Sequence, residues 1–230
     1  MVYQLSYGLL PKDTMFGTYL EVLEGDDESF ELEDPTPDDG GMIVPRSTDV
    51  GRPLLSDNPP RVLRRGGPGP EVVAMLDIDS FGSFLVITEA VRAMIEALEP
   101  DIHQYWPVTI VVPDRDPARY EPEDGIYIGQ KEGRVPDIPV REAYLLNVCK
   151  RLDTMDKELS HPVSDRGFFA PHHRKEGESV RLVYRREACV GHHLWIDKFV
   201  AMSLLVSDAL AQKLKDAGTT GISLRHSEEV

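Results

Sequence analysis

Two adjacent histidine pairs, His172-His173 and His192-His193, and the thiol of Cys189 are the side chains of this 230-residue chain best suited to chemistry. Cys189 lies near His192 and His193 in sequence, and such a cluster could supply a nucleophile and its base, as in a small cytosolic hydrolase. Thiol catalysis also requires a lowered pKa and a third group that orients the base. The neighbours Ala188 and Val190 instead mark Cys189 as a buried strand residue. Metal binding is the other chemistry that histidine pairs offer. Adjacent strand residues point to opposite faces, so each pair supplies one ligand to any one site. Only Asp197, Asp165 or Cys189 could add to it, and neither HxxxH nor HExxH spacing occurs. The run Gly66-Gly67-Pro68-Gly69 lacks the lysine of a phosphate-binding loop and precedes a strand pattern, not a helix. Trp106 and Trp195 sit among apolar strand residues and read as core. No catalytic residue, cofactor or metal site is assigned on these grounds.

Charge is more informative. Forty acidic against twenty-five basic residues give a formal net charge of −15. Such a surface repels phosphate backbones and anionic lipid, which argues against nucleic acid or a membrane as partner and favours a basic protein. From Asp13 to Pro45 there is no Lys or Arg at all. Within that stretch Glu24, Asp26, Asp27, Glu28, Glu31, Glu33 and Asp34 form the candidate contact surface, suited to steering a basic partner such as a nuclease domain. The competing reading is a solvated loop that serves only solubility.

The elements that would carry these residues follow from patterning. Residues 2–10 and 18–23 read as strands. Between Pro35 and Pro70 lie eight prolines and six glycines, a composition that excludes a central strand or helix interior. This span is expected as a surface excursion, wrapping the domain or partly mobile, with a basic patch at Arg61, Arg64 and Arg65. Residues 1–70 thus form an acidic, Pro/Gly-rich region on a main domain of 71–230. In that domain, 71–78 and 84–87 are strand-like. Thr88 is an N-cap, and Val91, Met94, Ile95 and Leu98 form one helical face, with Arg92, Glu96 and Glu99 opposite. Residues 105–112 return as a strand, where Pro107 implies an edge or a bulge. Residues 126–128 form a strand-like island, and 143–149 read as a strand although their apolar spacing also fits a helix. Val180–Tyr184 and His193–Ile196 are further strands. The closing unit repeats the earlier grammar. Leu204-Leu205-Val206 is a strand and Ser207 the cap. Ala209, Leu210, Ala211, Leu214 and Ala217 form a buried helical face, Gly218 ends the helix, and 221–225 are the returning strand. The fold class is α+β: a mixed, largely antiparallel sheet with two or so short amphipathic helices in a repeated strand-helix-strand unit.

No run of eighteen apolar residues occurs, and the N-terminus lacks the basic-then-apolar pattern of a signal peptide, so the expected location is cytoplasmic. Cys149 and Cys189 are expected as buried small hydrophobes.

Three segments carry a family resemblance: Phe84-Leu85-Val86-Ile87-Thr88-Glu89-Ala90-Val91 with Ile95-Glu96-Ala97-Leu98; Ala143 to Cys149 with Leu152-Asp153-Thr154-Met155-Asp156; and Leu204 to Leu210, Leu214 to Gly218 and Gly221 to Leu224. Over roughly 71–225 the chain resembles immunity family eleven of bacterial polymorphic toxin systems, earlier a domain of unknown function. The resemblance implies a cytoplasmic antidote that binds a cognate toxin, with no catalytic residues to transfer. An accessory protein of a secretion or defence locus is the remaining alternative to that role and to the hydrolase.

Overall fold

The computed structural model describes residues 1–8, 19–36, 51–66, 76–113, 122–123, 126–127, 137–174, 177–201 and 203–230. The expectations for Gly67–Gly69, for 71–75 and for Ile128 lie outside them.

In chain order the strands are β1 (Val2–Tyr7), β2 (Tyr19–Glu24), β3 (Glu31–Leu32), β4 (Leu54–Leu55), β5 (Val62–Gly66), β6 (Ile78–Phe81) and β7 (Phe84–Ile87). Helix α1 (Glu89–Glu96) follows, then β8 (Gln104–Pro113), β9 (Pro122–Glu123), β10 (Ile126–Tyr127), β11 (Asp137–Asn147), β12 (Arg151–Leu152) and β13 (Val183–Tyr184). The chain ends with the one-turn helix α2 (Arg186–Cys189), β14 (Leu194–Asp197), β15 (Leu204–Ser207), α3 (Asp208–Asp216), β16 (Ile222–His226) and β17 (Glu228–Glu229). Two main sheets result, one of six strands in the order β2-β5-β8-β11-β7-β6, the other of five in the order β12-β14-β15-β1-β16. Pairing is mostly antiparallel, with β5–β8, β12–β14 and β13–β17 parallel. The class is α+β, built on two large sheets.

The repeated unit organises both sheets in the same way. Strands β7 and β8 flank β11, antiparallel to each, with α1 connecting them. Likewise β15 and β16 flank β1, antiparallel to each, with α3 between them in sequence. Each unit therefore sets two parallel strands around one strand from elsewhere in the chain. Thr88 Oγ1 accepts from Val91 N and Ser207 Oγ from Leu210 N, so both helices start where the capping residues require. Val91 and Ile95 of α1 meet Leu210, Ala211 and Leu214 of α3 in one core, with Leu85, Ile87 and Leu146 of one sheet and Leu5, Leu194, Ile196, Leu204 and Val206 of the other. The helix pair is thus shared by the inner faces of both sheets. Ala209 and Ala217, expected on the buried face of α3, are exposed.

Strand periodicity sends the intervening residues to two further cores. Phe84, Val86 and Leu145 join Leu63, Phe81, Val108, Ile110 and Ala143 in a cluster fed by all six strands. The sheet curls around it until the edge strands β2 and β6 come within 8 Å. Trp195 and Leu205 face the other way and pack with Val2, Met155, Tyr184, Cys189, Phe199 and Val200. Burial on both faces explains why these strands read as unbroken apolar runs.

Three sequence expectations are corrected. The Pro/Gly-rich span does contain an interior strand: β5 lies between β2 and β8, with Leu63 wholly buried. Its prolines and glycines flank the strand without interrupting Val62–Arg65, so no ladder donor is lost. The basic patch is also dispersed. Arg65 is buried and paired with Asp79 across the curl, and Arg64 forms an ion pair with Asp137, Nε to Oδ1 at 2.9 Å, while Arg61 alone stays exposed. Finally, Pro107 sits in an interior strand. Thr109 N donates to Arg61 O, so the odd-numbered amides of β8 point toward β5, yet β5 begins pairing only at Thr109. No acceptor waits for the N–H that Pro107 lacks.

Glu99 is the fourth correction and the most consequential. It lies past the end of α1, with its side chain 3 % exposed, rather than on a solvent face. Oε2 meets His103 Nε2 at 2.8 Å and accepts from Leu194 N at 3.1 Å; Oε1 accepts from His193 N at 2.7 Å and pairs with Lys150 Nζ. His193 Nδ1 in turn lies 2.8 Å from Ser207 Oγ, the N-cap of α3. One carboxylate therefore ties the end of α1, the end of β11, the start of β14 and the cap of α3 together.

Candidate functional site

The seven acidic residues singled out by charge form a short ordered edge, and all seven are exposed. Glu24 ends β2. Gly25, at φ +95, turns the chain so tightly that a Cβ there would lie 2.4 Å from Pro59 O. Asp26 Oδ1 accepts from Glu28 N at 2.8 Å and caps the 3-10 turn Asp27–Ser29, while Glu31 begins β3 beside β4. Phe30 points inward from the middle of the edge, buried against Phe84 and Trp106 with ring centroids at 4.6 and 4.8 Å. That aromatic contact holds the flanking carboxylates outward on a fixed backbone. Further along, the Thr36 hydroxyl and N–H beside Asp34 hold its carboxyl below the ordinary carboxylate value, and Arg52 Nη1 donates to the carbonyls of Asp34 and Thr36. The edge is a set of presented negative charges around a buried aromatic anchor.

The cysteine and histidine candidates go to separate places. Cys189 is buried in the core with Tyr184 and Trp195, where burial pushes its thiol up to about 12. Burial likewise pushes Cys149 up to about 11. Neither environment produces a thiolate at neutral pH. Among the described residues His192 Nδ1 is buried without a hydrogen-bond partner, and His193 buttresses the Ser207 cap. His172 and His173 lie in a different 3-10 turn, Pro171–His173, with ring centroids 4.3 Å apart. Asp165 is exposed, and among the described residues no three His, Cys, Asp or Glu side chains converge to hold a metal ion.

Asp197 has a structural assignment of its own. Its Oδ2 accepts from Thr154 N, Thr154 Oγ1 and Met155 N at 2.8, 2.6 and 2.8 Å, and its Oδ1 from Phe199 N at 2.7 Å. Trp195 Nε1 donates to the same Thr154 hydroxyl. The carboxylate is saturated by donors from two segments and organises the buried turn after β12. Asp197→Asn turns an NH2 group toward backbone N–H groups. The expected cost is about 1–3 kcal/mol in urea unfolding at neutral pH, with the native fold retained by circular dichroism.

The surface feature that sequence reasoning missed is a cleft of about 800 Å3 assembled from Ser164 and residues 168–173, 180–182 and 225–228 with Gln4 and 200–201. Its floor is apolar, from Phe168, Phe169, Leu182 and Val200. His172, His173, Arg181, Arg225 and His226 line it, against the single carboxylate of Glu228. Arg181 Nε donates to Glu228 Oε2 at 3.0 Å, and a second guanidinium N–H reaches the other oxygen. Arg225 donates to the Gln4 amide oxygen across the β1–β16 ladder, and His226 packs edge-on against Tyr3 at 5.5 Å. The wall is stiffened by Ala170 N donating to Pro162 O and Phe169 N to Phe199 O. The segment 164–182 and the distant strand end 225–228 had to meet before this group of guanidinium and imidazole side chains existed.

Among the described residues no helix is long and apolar enough to cross a membrane. A search of curated proteins gives no match to the chain. Residues 136–229, the segment that contains β12 to β17, Asp197, the Ser207 cap and nearly all of the cleft, match the model of an immunity protein family (Imm11).

Proposed function

We propose that this protein is an immunity protein that neutralises a cognate toxin, encoded beside it, by stoichiometric binding in the cytoplasm. The observation that carries this reading is the match of residues 136–229 to an immunity family. Inhibition of this kind needs no turnover; a slow off-rate from a well-packed contact suffices. The high-pKa thiols of half-buried Cys149 and buried Cys189 support binding over a hydrolase. Co-expression with the neighbouring toxin tests the reading directly. Cell growth is expected to be restored, and continued killing with both proteins soluble would overturn it.

The acidic edge from Glu24 to Asp34 is the contact surface best suited to a basic toxin domain, such as a nuclease whose groove is lined by Lys and Arg. Exposed charge of one sign accelerates encounter over distances of about 10 Å at 0.1 M salt. Neutralising Asp27, Glu28, Glu31 and Glu33 together, while leaving the capping Asp26 intact, is expected to slow association with the toxin about tenfold at low salt. The variant should also flatten the salt dependence in stopped-flow measurements. Association rates unchanged from wild type would remove the edge from the interface.

A further inference from the structure

We propose that the cleft between residues 164–173, 180–182 and 225–228 is a second binding site, which takes a short acidic peptide segment of the partner. This deepens the immunity reading and rests on it for the partner's identity. Charge is the first argument. On a chain of net charge −15, this one concavity collects two guanidinium groups and three imidazoles around a single carboxylate. Arg225 is the pivotal cation. Its partner among the described residues is the neutral Gln4 amide, not a carboxylate, so an incoming carboxylate gains a charge-assisted hydrogen bond without breaking an ion pair. Arg181 is already engaged by Glu228 and fixes the opposite rim.

Shape supplies the second argument. A volume of about 800 Å3 is within the usual ligand-pocket range. Its aromatic and aliphatic floor suits one apolar side chain flanked by acids. A nucleic acid has the right sign of charge but the wrong extent. A strand of several phosphates would run beyond the cleft and meet the repulsion of a chain of net charge −15, whereas a peptide of a few residues feels mainly the charges within one Debye length. Nearly the whole cleft is built by the segment that matches the immunity family, while the acidic edge at 24–34 lies outside it. The two surfaces have opposite charge, and a partner that engages both needs a basic face and an acidic segment.

Selection of a random octapeptide display library on the purified full-length protein tests the site without any toxin. Wild type is expected to enrich peptides with Asp or Glu flanking an aromatic or aliphatic residue. Arg225→Gln, a surface change that leaves the ladder intact, should lose that enrichment at least tenfold. Titration of the best peptide should shift the imidazole resonances of His172, His173 and His226. No enrichment, enrichment for basic peptides, or enrichment that survives in Arg225→Gln overturns the proposal, as does tighter binding of an eight-nucleotide oligothymidylate than of any selected peptide. Failure here leaves co-expression rescue untouched, and failure of rescue leaves the selection result standing, so the two readings fall separately.

Discussion

Replacing Glu99 with Ala is expected to lower the stability of the protein by about 3–5 kcal/mol. The variant leaves Lys150 without its counter-charge and His103 without its hydrogen-bond partner, and orphans the N–H groups of His193 and Leu194, all around a side chain only 3 % exposed. For a chain of this size that loss corresponds to a melting temperature lower by roughly 10 °C. Acid titration checks the mechanism. Burial on its own would raise the Glu99 pKa. The hydrogen bonds from His103, Lys150 and His193 N–H outweigh it and hold the group at about 2, below its ordinary 4.5. A depressed carboxylate contributes stability that is complete above the unfolded pKa and disappears as pH falls through the folded one. The stability difference between wild type and Glu99→Ala should therefore be flat from pH 7 to about 5 and shrink as pH falls toward about 2. A difference independent of pH across that window would show that Glu99 acts only through packing.

The Glu99 cluster also shows where sequence patterning stops. The caps Thr88 and Ser207 were legible because a hydroxyl before an apolar period has a local physical meaning, and the strands at 84–87 and 204–206 were legible as short unbroken apolar runs. Glu99 was assigned to the solvent face because the helical period was run one turn too far. Its helix ends at Glu96, and the closing turn, where Glu99 N donates to Ile95 O, carries the Glu99 side chain into the interior. Strand β5 was hidden by the prolines and glycines that flank it, since composition over a window averages away a five-residue strand. Arg65 was read as surface charge because nothing local announces Asp79 across a curled sheet.

The candidate surfaces divide the same way. Glu24, Asp26, Asp27, Glu28, Glu31, Glu33 and Asp34 stand out as an uninterrupted run of one sign, which is a local property. Their anchoring through Phe30 is not, because Phe84 and Trp106 come from β7 and β8. The cleft is wholly non-local: Arg181 and Arg225 become neighbours only once β13 and β17 pair beside the end of β16. Single residues of ordinary type, brought together late, carry no pattern of their own.

Gly221→Ala is expected to be as damaging as the loss of Glu99, and for a different reason. Gly221 immediately precedes β16 at φ +84, where an added Cβ would stand 2.0 Å from Ile78 O and 2.9 Å from Leu76 Cβ. The first of these is backbone, and it cannot swing aside. It is held there by Ile78 N donating to Thr220 O, and by the Thr220 hydroxyl and N–H donating to Asp77 Oδ2 at 2.7 and 3.0 Å. Backbone strain alone costs about 1–3 kcal/mol for a residue in this region of φ. Separating the two chains to clear the overlap breaks the seam where the closing strand-helix-strand unit meets the first, so the total should exceed about 3 kcal/mol. Gly218, three residues earlier, provides the internal control. It also has positive φ, at +64, but open space lies where its Cβ would point. Gly218→Ala should lose only the left-handed penalty of about 1–2 kcal/mol. Urea unfolding of both variants separates strain from contact, and equal losses at the two positions would mean that the β16–β6 seam yields without cost.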